Sequence, residues 1–234
     1  MKIHGLQKMT LLDYPGRVAC TVFLAGCDMR CPFCHNSDLI DGNAPVLMED
    51  DELIRFLDTR TGLLEGVAFT GGEPILRHDL PDLLRRIKSM GYPVKLDTNG
   101  THPDRLASLI EEKLVDYVAM DVKNSPDRYA VTCGIEGFDI KPVDESIKLL
   151  IEVGKKQNFE YEFRTTVVDE LHDNDSFVGI GHWIQGASQY FLQAFTDRES
   201  VLFSGFNPPS ADKMELYRGL VAPFVDKCVL RGVD

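Results

Sequence analysis

Short apolar runs alternate along the chain with longer amphipathic stretches. The runs are rich in β-branched and aromatic residues and are predicted as strands at 18–25, 66–70, 93–97, 115–121, 161–168 and 190–195. The stretches between them repeat their apolar residues every three or four positions, and are predicted as helices at 50–58, 79–90, 103–112, 143–153 and 175–184. Strands that alternate with helices in this way indicate βα units and a parallel sheet.

Six such units fit between residues 18 and 195. Because a closed barrel needs eight, we expect an α/β fold of the partial (β/α)6 TIM-like barrel type, with a curved parallel sheet. The Asn-Pro-Pro-Ser stretch at 207–210 is typical of a linker. We therefore expect one domain over residues 1–206, and a C-terminal segment, 207–234, whose helix (211–224) and short strand (228–231) pack on it as a cap.

Glycine and polar residues follow four of the predicted strands, at Gly26-Cys27, Thr70–Glu73, Asp97–Gly100 and Asp121–Lys123. In parallel α/β folds the functional site lies at the carboxyl ends of the strands. The sequence therefore predicts a site at this edge of the sheet.

Three of the six cysteines, Cys27, Cys31 and Cys34, form a CxxxCxxC motif after the first strand. Clustered thiolates select zinc or an iron–sulfur cluster. A structural zinc site takes four protein ligands, and His35, directly after Cys34, is poorly placed to be the fourth. Three ligands on a four-iron cluster leave one iron open. We therefore favour a [4Fe–4S] cluster, with a zinc site and a purely structural cysteine triplet as the alternatives.

This motif, with Phe33 directly before the third cysteine, resembles the signature of the radical S-adenosylmethionine (SAM) superfamily. The resemblance implies that the three cysteines bind the cluster and that SAM chelates the open iron. It also implies that an electron from the cluster cleaves SAM to methionine and a 5′-deoxyadenosyl radical, which abstracts a hydrogen atom. The protein would supply binding and orientation for this chemistry.

The same resemblance implies SAM contacts at the strand ends. Gly71, Gly72 and Glu73 match the motif for the SAM amino group, with a tight turn as the alternative. Asp97, Thr98, Asp121 and Lys123 resemble residues of pyruvate formate-lyase activating enzymes that hold a monovalent cation and the SAM carboxylate; helix capping and a surface lysine are the alternatives. The other residues assigned to cofactor binding are Phe33, His35, Asn36, Asn99, Arg164, Gln193 and Phe195.

Arg164 lies inside a predicted strand and needs a partner if it is buried. A salt bridge with Glu162 or another carboxylate is therefore the alternative to a SAM contact. Near the end of the sixth strand, activating enzymes of pyruvate formate-lyase carry a histidine. The chain has Phe195, Thr196 and Asp197 there, which departs from that pattern.

The finer resemblance is to the activating proteins of anaerobic ribonucleoside-triphosphate reductase, through residues 10–17, Cys34-His35-Asn36 and the closing Leu230-Arg231-Gly232. It implies hydrogen abstraction from a backbone glycine of a glycyl-radical enzyme, with anaerobic ribonucleotide reductase as that protein substrate and flavodoxin or ferredoxin as the electron donor. Three alternatives remain open: an activator of another glycyl-radical enzyme, a small-molecule radical SAM enzyme, and a non-catalytic metal-binding module.

The net charge of −12 argues against nucleic-acid partners and against binding to an anionic membrane surface. No apolar run is long enough to span a bilayer and no signal peptide is evident, so a cytoplasmic location is expected. Cys20 and Cys228 lie in apolar runs and are predicted to be core residues. Cys133 and the histidines other than His35 receive no role.

Overall fold

The structure is a computed structural model that describes residues 1–157 and 159–233. It divides into two compact units. The first comprises Met1–Asp28, Asp38–Thr98 and His102–Val118, and the second Met29–Ser37, Asn99–Thr101 and Ala119–Asp234. The boundary expected after residue 206 is not a division between these units, and the separation of 1–206 from 207–234 stays a prediction.

The first unit is built on parallel strands with helices between them. Its elements are β1 (Lys2–Ile3), β2 (Gly5–Thr10), β3 (Ala19–Leu24), β4 (Met48–Glu49), α1 (Asp50–Asp58), β5 (Gly66–Gly71), α2 (Leu80–Ser89), β6 (Val94–Thr98) and α3 (Pro103–Glu111). The strand order is β2-β3-β5-β6. Strands β3, β5 and β6 are parallel, whereas β2 is antiparallel to β3, and β1 pairs with β4 in a separate antiparallel ladder.

Strand β7 (Tyr117–Asp121) begins in the first unit and ends in the second. The elements that follow are α4 (Tyr129–Cys133), α5 (Lys141–Gln157), β8 (Glu160–Val167), α6 (Asn174–Trp183), β9 (Tyr190–Ala194), α7 (Ala211–Val221) and β10 (Cys228–Arg231). Strands β8, β9 and β10 are parallel, and Arg231 of β10 lies beside Gln193 of β9.

Local sequence explains where these elements begin and why the strands are buried. Glu49 and Glu52 form a capping box at the start of α1, and Pro81 stands in the first turn of α2. Five of the six residues of β3 are buried. Such near-continuous burial is typical of parallel strands with both faces covered, because their crossover helices pack on the sheet.

The structure confirms the α/β class and the parallel βα arrangement, which is consistent with a partial (β/α)6 barrel. The predicted helix 50–58 and strand 228–231 have the same bounds in the structure. Strands β1, β2 and β4 and helix α4 were not predicted. No helix in the described part of the chain has the length and apolar character needed to cross a membrane.

Candidate functional site

Both compact units carry residues that were predicted to form the site. The first unit holds Cys27, Gly71, Gly72, Glu73, Asp97 and Thr98. The second holds Cys31, Phe33, Cys34, His35, Asn36, Asn99, Asp121, Lys123, Arg164, Gln193 and Phe195.

In the first unit, the loop after β5 packs directly on the residue that precedes Cys27. The backbone N–H of Gly72 donates to Leu24 O at 2.8 Å, and that of Glu73 donates to Gly26 O at 2.7 Å. A Cβ on Gly72 would lie 2.2 Å from Gly26 O, so glycine is the residue that permits this approach. These backbone contacts fix the Gly-Gly-Glu motif against Gly26. Gly26 begins the segment 26–36 that carries the three cysteines, which we call the cysteine loop.

The Glu73 side chain is almost fully buried, with 1% of its surface exposed. Its Oε1 accepts hydrogen bonds from the Ile75 backbone N–H at 3.1 Å and from Thr98 Oγ1 at 3.0 Å. A buried carboxylate needs such donors. The structure thus brings together two of the predicted residues, Glu73 after β5 and Thr98 at the end of β6.

Asp97, also at the end of β6, forms an ion pair with Lys95, a residue that was not predicted to belong to the site. Lys95, two positions earlier on the same face of the strand, donates its Nζ to Asp97 Oδ1. The Lys95 side chain is only 3% exposed and that of Asp97 15%. Lysine is rarely buried unless it is paired, so Asp97 is what allows Lys95 to be buried in β6.

In the second unit, the cysteine loop is anchored to the end of helix α4. The Arg30 backbone N–H donates to Cys133 O at 2.9 Å, and the Cys34 N–H donates to Cys31 O at 3.1 Å, closing a turn. Gly134 caps α4 in the left-handed conformation at φ 71°. A Cβ there would lie 2.1 Å from Arg30 O, so Gly134 also allows the loop to approach.

A second segment, residues 196–203 after β9, crosses the cysteine loop; we refer to it as the strap. His35 Nε2 lies 2.6 Å from Thr196 O, and the His35 ring stacks on Phe195 with centroids 5.3 Å apart. Two further bonds join the segments: Ser37 Oγ donates to Ser200 O at 2.6 Å, and Phe203 N–H donates to Pro32 O at 3.1 Å. His35 and Phe195, both predicted site residues, are therefore in contact.

Asp121, at the end of β7, is held by two cations. Lys123 Nζ donates to its Oδ2 at 2.8 Å, and Arg164 Nε donates to its Oδ1 at 2.5 Å. Burial raises the pKa of Asp121, but the charges of Arg164 and Lys123 outweigh it and hold the pKa well below the usual range. Burial likewise lowers the pKa of Lys123, and the attraction of Asp121 more than reverses this.

The salt-bridge interpretation of Arg164 is thus observed, with Asp121 as the partner. Glu162, the other carboxylate considered for Arg164, is paired with Arg231 instead. The Arg164–Asp121 pair and the Arg231–Glu162 pair therefore each place a charged side chain of β8 on the same face of that strand, because residues 162 and 164 are two positions apart.

His172, which received no role from the sequence, holds the backbone next to Asp121. Its Nε2 lies 2.9 Å from Lys123 O, and its Nδ1 accepts from the Val168 backbone N–H at 3.1 Å. The ring is 3% exposed. His172 gave no sequence signal for this role because Lys123, the partner beside Asp121, is 49 residues away in the chain.

The remaining predicted residues differ in placement. Asn99 is buried and its Oδ1 accepts from both the N–H and the Oγ1 of Thr101, which forms a local turn. Phe33 is buried, whereas the Gln193 side chain is exposed on β9. Asn36 is partly exposed. Their roles in cofactor binding stay predictions.

The chemistry of the cysteine loop fits an iron–sulfur cluster. All six cysteines lie in the described part of the chain and none forms a disulfide. Burial raises the pKa of the Cys34 thiol, while a hydrogen bond from the Asn36 backbone and the charge of Lys123 partly offset this rise. Because the net effect is a raised pKa, to which Asp121 also contributes, a bound metal would itself have to supply the charge that makes this thiol a thiolate ligand.

The arrangement of the thiols does not by itself define a metal site. Within residues 1–157 and 159–233, no three His, Cys, Asp or Glu side chains are grouped as metal ligands. The assignment of Cys27, Cys31 and Cys34 as the ligand set therefore stays a prediction that depends on the CxxxCxxC spacing. Cys20 is fully buried, which confirms its predicted place in the core, whereas Cys228 is only half-buried and the core prediction for it was wrong.

Comparison with known proteins identifies the family. The chain matches the Radical SAM superfamily over residues 21–195, well over half of its length. It is 31% identical to a Methanocaldococcus jannaschii protein that bears the name of a glycyl-radical enzyme activating enzyme, over 99% of this chain and 96% of the relative. It is 35% identical to the pyruvate formate-lyase 1-activating enzyme of Escherichia coli K12, over 97% of each chain.

Among solved structures, Streptococcus suis SuiB bound to the precursor peptide SuiA is similar, with a TM-score of 0.70 and 12% identity. The match covers 89% of this chain and 47% of SuiB, so the chain spans about half of that protein. At this identity the likeness shows the fold alone.

The chain therefore belongs to the radical SAM superfamily. It is an enzyme of that superfamily, and the cofactors of the family are a [4Fe–4S] cluster and SAM.

Proposed function

We propose that this enzyme activates a glycyl-radical enzyme by abstracting a hydrogen atom from the Cα of one glycine of that protein. The observation that carries the proposal is the likeness to activating enzymes over 97–99% of the chain, with 96–97% of the relatives covered. A small-molecule radical SAM enzyme would need side chains that hold the small substrate, and among the residues that the structure describes we identify none beyond those assigned to SAM.

The cysteines of the CxxxCxxC motif would hold the cluster, and the residues at the strand ends would hold SAM. When bound, the cluster would supply the electron that cleaves SAM, and SAM would supply the radical that abstracts the hydrogen atom. Glu73 is a buried carboxylate suited to the SAM ammonium, and Lys123 is a cation suited to the SAM carboxylate. Phe195 is buried and stacks on the His35 ring, so it would position the cysteine loop and not contact SAM directly.

The residues around these groups orient them. Thr98 fixes the carboxylate of Glu73, Asp121 and Arg164 restrain Lys123, and the strap holds the cysteine loop through His35. Abstraction of a hydrogen atom from Cα–H needs no general base. Positioning is therefore the main contribution that the chain makes to the reaction.

The protein substrate that we favour is anaerobic ribonucleoside-triphosphate reductase. Residues 10–17, Cys34-His35-Asn36 and Leu230-Arg231-Gly232 support this choice. The 35% identity to the E. coli enzyme supports pyruvate formate-lyase as the second candidate. Flavodoxin or ferredoxin would supply the electron.

The test is the formation of a glycyl radical under anaerobic conditions. The reconstituted enzyme, SAM and a reductant are incubated with each candidate protein from the same organism, and the radical is measured by electron paramagnetic resonance. We expect a glycyl signal on the ribonucleotide reductase that is lost when its radical glycine is replaced by alanine. A signal on pyruvate formate-lyase alone would favour the second candidate, and 5′-deoxyadenosine formation with no signal on either would contradict the proposal.

A further inference from the structure

A monovalent cation was expected beside Asp97, in the first unit, and Asp121, in the second, and the surroundings of each carboxylate within its own unit do not fit one. Both carboxylates already bear protein cations. Lys95 donates to Asp97, while Lys123 and Arg164 each donate to one oxygen of Asp121. We propose that the Lys95 ammonium takes the place of the monovalent cation, and that this enzyme binds SAM without one.

The burial of Lys95 is the first support. Its side chain is 3% exposed, and Asp97 is the hydrogen-bond partner that the structure describes for its Nζ. A buried ammonium that lost this partner would be strongly destabilised, so the pair is expected to persist when ligands bind. A free cation would have to displace the Lys95 ammonium before it could take its position at Asp97 Oδ1.

Charge is the second support. An ammonium and an alkali cation each carry one positive charge, and either one neutralises Asp97. A second cation beside the Lys95 ammonium would be repelled at short range in a poorly solvated place. Lys95 therefore already supplies at Asp97 the single positive charge that a monovalent cation would bring.

The third support comes from Asp121. Its Oδ1 accepts from Arg164 at 2.5 Å and its Oδ2 accepts from Lys123 at 2.8 Å. Both oxygens thus already have charged donors, and the pKa of the carboxyl lies below its usual range.

This inference rests on the proposed contribution of Asp97 to SAM binding, and not on the identity of the protein substrate. SAM affinity is therefore the appropriate readout, since it is measured without a glycyl-radical enzyme. A failure to form a glycyl radical would contradict the proposed function but would not change the measured SAM affinity.

The experiment compares SAM affinity of the cluster-loaded enzyme in potassium chloride and in tetramethylammonium chloride, whose cation is too large to enter a small site. For the wild type we expect the two dissociation constants to agree within about twofold. Lys95→Met keeps most of the length of the side chain but removes its charge. In tetramethylammonium chloride we expect this variant to bind SAM more weakly than the wild type does. In potassium chloride we expect it to bind SAM about tenfold more tightly than it does in tetramethylammonium chloride.

Lys88→Met is the matched control, because Lys88 forms a lysine–aspartate pair with Asp116 at 2.6 Å outside the predicted site. It should show no dependence on potassium. Lys95→Gln provides a second neutral variant if Lys95→Met does not fold. A wild-type affinity that rises about tenfold with potassium, or a folded Lys95 variant that is indifferent to potassium, would overturn the inference.

Discussion

Arg231 of β10 donates two parallel hydrogen bonds to Glu162 of β8, from Nη1 to Oε1 at 2.8 Å and from Nη2 to Oε2 at 2.9 Å. The guanidinium also lies over the Phe191 ring, 3.5 Å from its centroid. Glu162 is 1% exposed and the Arg231 side chain 34%. The planar fork of arginine matches a carboxylate in this geometry, so the pair ties β10 to β8 across β9.

Arg231→Ala would leave the Glu162 carboxylate buried without its charged partner. We expect a loss of about 2–4 kcal/mol in the free energy of unfolding, below the fully buried case because Arg231 is partly exposed. Denaturation in urea measures it. Arg218→Ala, which removes an exposed pair with Glu215, should cost much less, because solvent screens that pair. Equal costs for the two variants would show that the Glu162 pair contributes no more than a surface pair.

Gly134 should matter for the cysteine loop as well as for helix α4. Alanine at Gly134 or at Gly137 must adopt a positive φ, of 71° or 66°, at a cost of about 1–2 kcal/mol. Only at Gly134 would the new Cβ meet a neighbour, Arg30 O at 2.1 Å, since Gly137 has nothing within 4 Å. We expect Gly134→Ala to lose more stability and to bind less iron after reconstitution. The same iron content in both variants would mean that this contact does not hold the loop.

Lys123→Ala should weaken SAM binding by about 1–3 kcal/mol if Lys123 meets the SAM carboxylate, as for a charged hydrogen bond. Isothermal titration with the cluster-loaded protein gives the affinity, and a thermal melt checks that Asp121, left with Arg164, has not destabilised the fold. Lys213→Ala is the control, because Lys213 pairs with Asp169 at 2.6 Å and is about half exposed. An unchanged SAM affinity in Lys123→Ala would return Lys123 to a structural role.

His172 should make stability fall as the pH drops from 7 to 5. Burial lowers the pKa of His172 below 6.5, because the charged imidazolium would lose its hydration, and the backbone hydrogen bonds to Lys123 and Val168 offset this only in part. The unfolded chain then binds a proton that the folded chain does not, so the stabilisation is complete above pH 6.5 and is lost as the pH falls through the folded-state pKa. His172→Gln should show a shallower decline of stability with falling pH, measured by urea denaturation. An identical decline would mean that His172 does not titrate in this way.

The sequence predicted the βα units well because their signals are local. Apolar periodicity, proline in a first turn and glycine after a strand all act within a few residues, as at Pro81 in α2. Strand β2, Gly5–Thr10, was missed because its residues have little alternation and its partner β3 is set by pairing across the sheet. Helix α4 was missed because five residues show no period.

Within the candidate site, the sequence identified the residues but not their partners. Asp121 and Arg164 were both proposed, yet their ion pair joins positions 43 residues apart, and Glu162, two residues from Arg164, has a different partner. Lys95 carried a signal that was not used, namely a charged residue inside a predicted strand between apolar neighbours. A lysine at such a position requires a buried acid, and Asp97 stands two residues away on the same face.

The most direct test of the account is the formation of 5′-deoxyadenosine from SAM by anaerobically reconstituted protein in the presence of a strong reductant. We predict product from the wild type and from Cys20→Ala, whose thiol is buried in β3 and has its pKa raised to about 12 by that burial. We predict none from Cys31→Ala. Absence of product from wild-type protein shown to carry a full [4Fe–4S] cluster, or full activity in Cys31→Ala, would contradict the assignment of radical SAM chemistry to this cysteine loop.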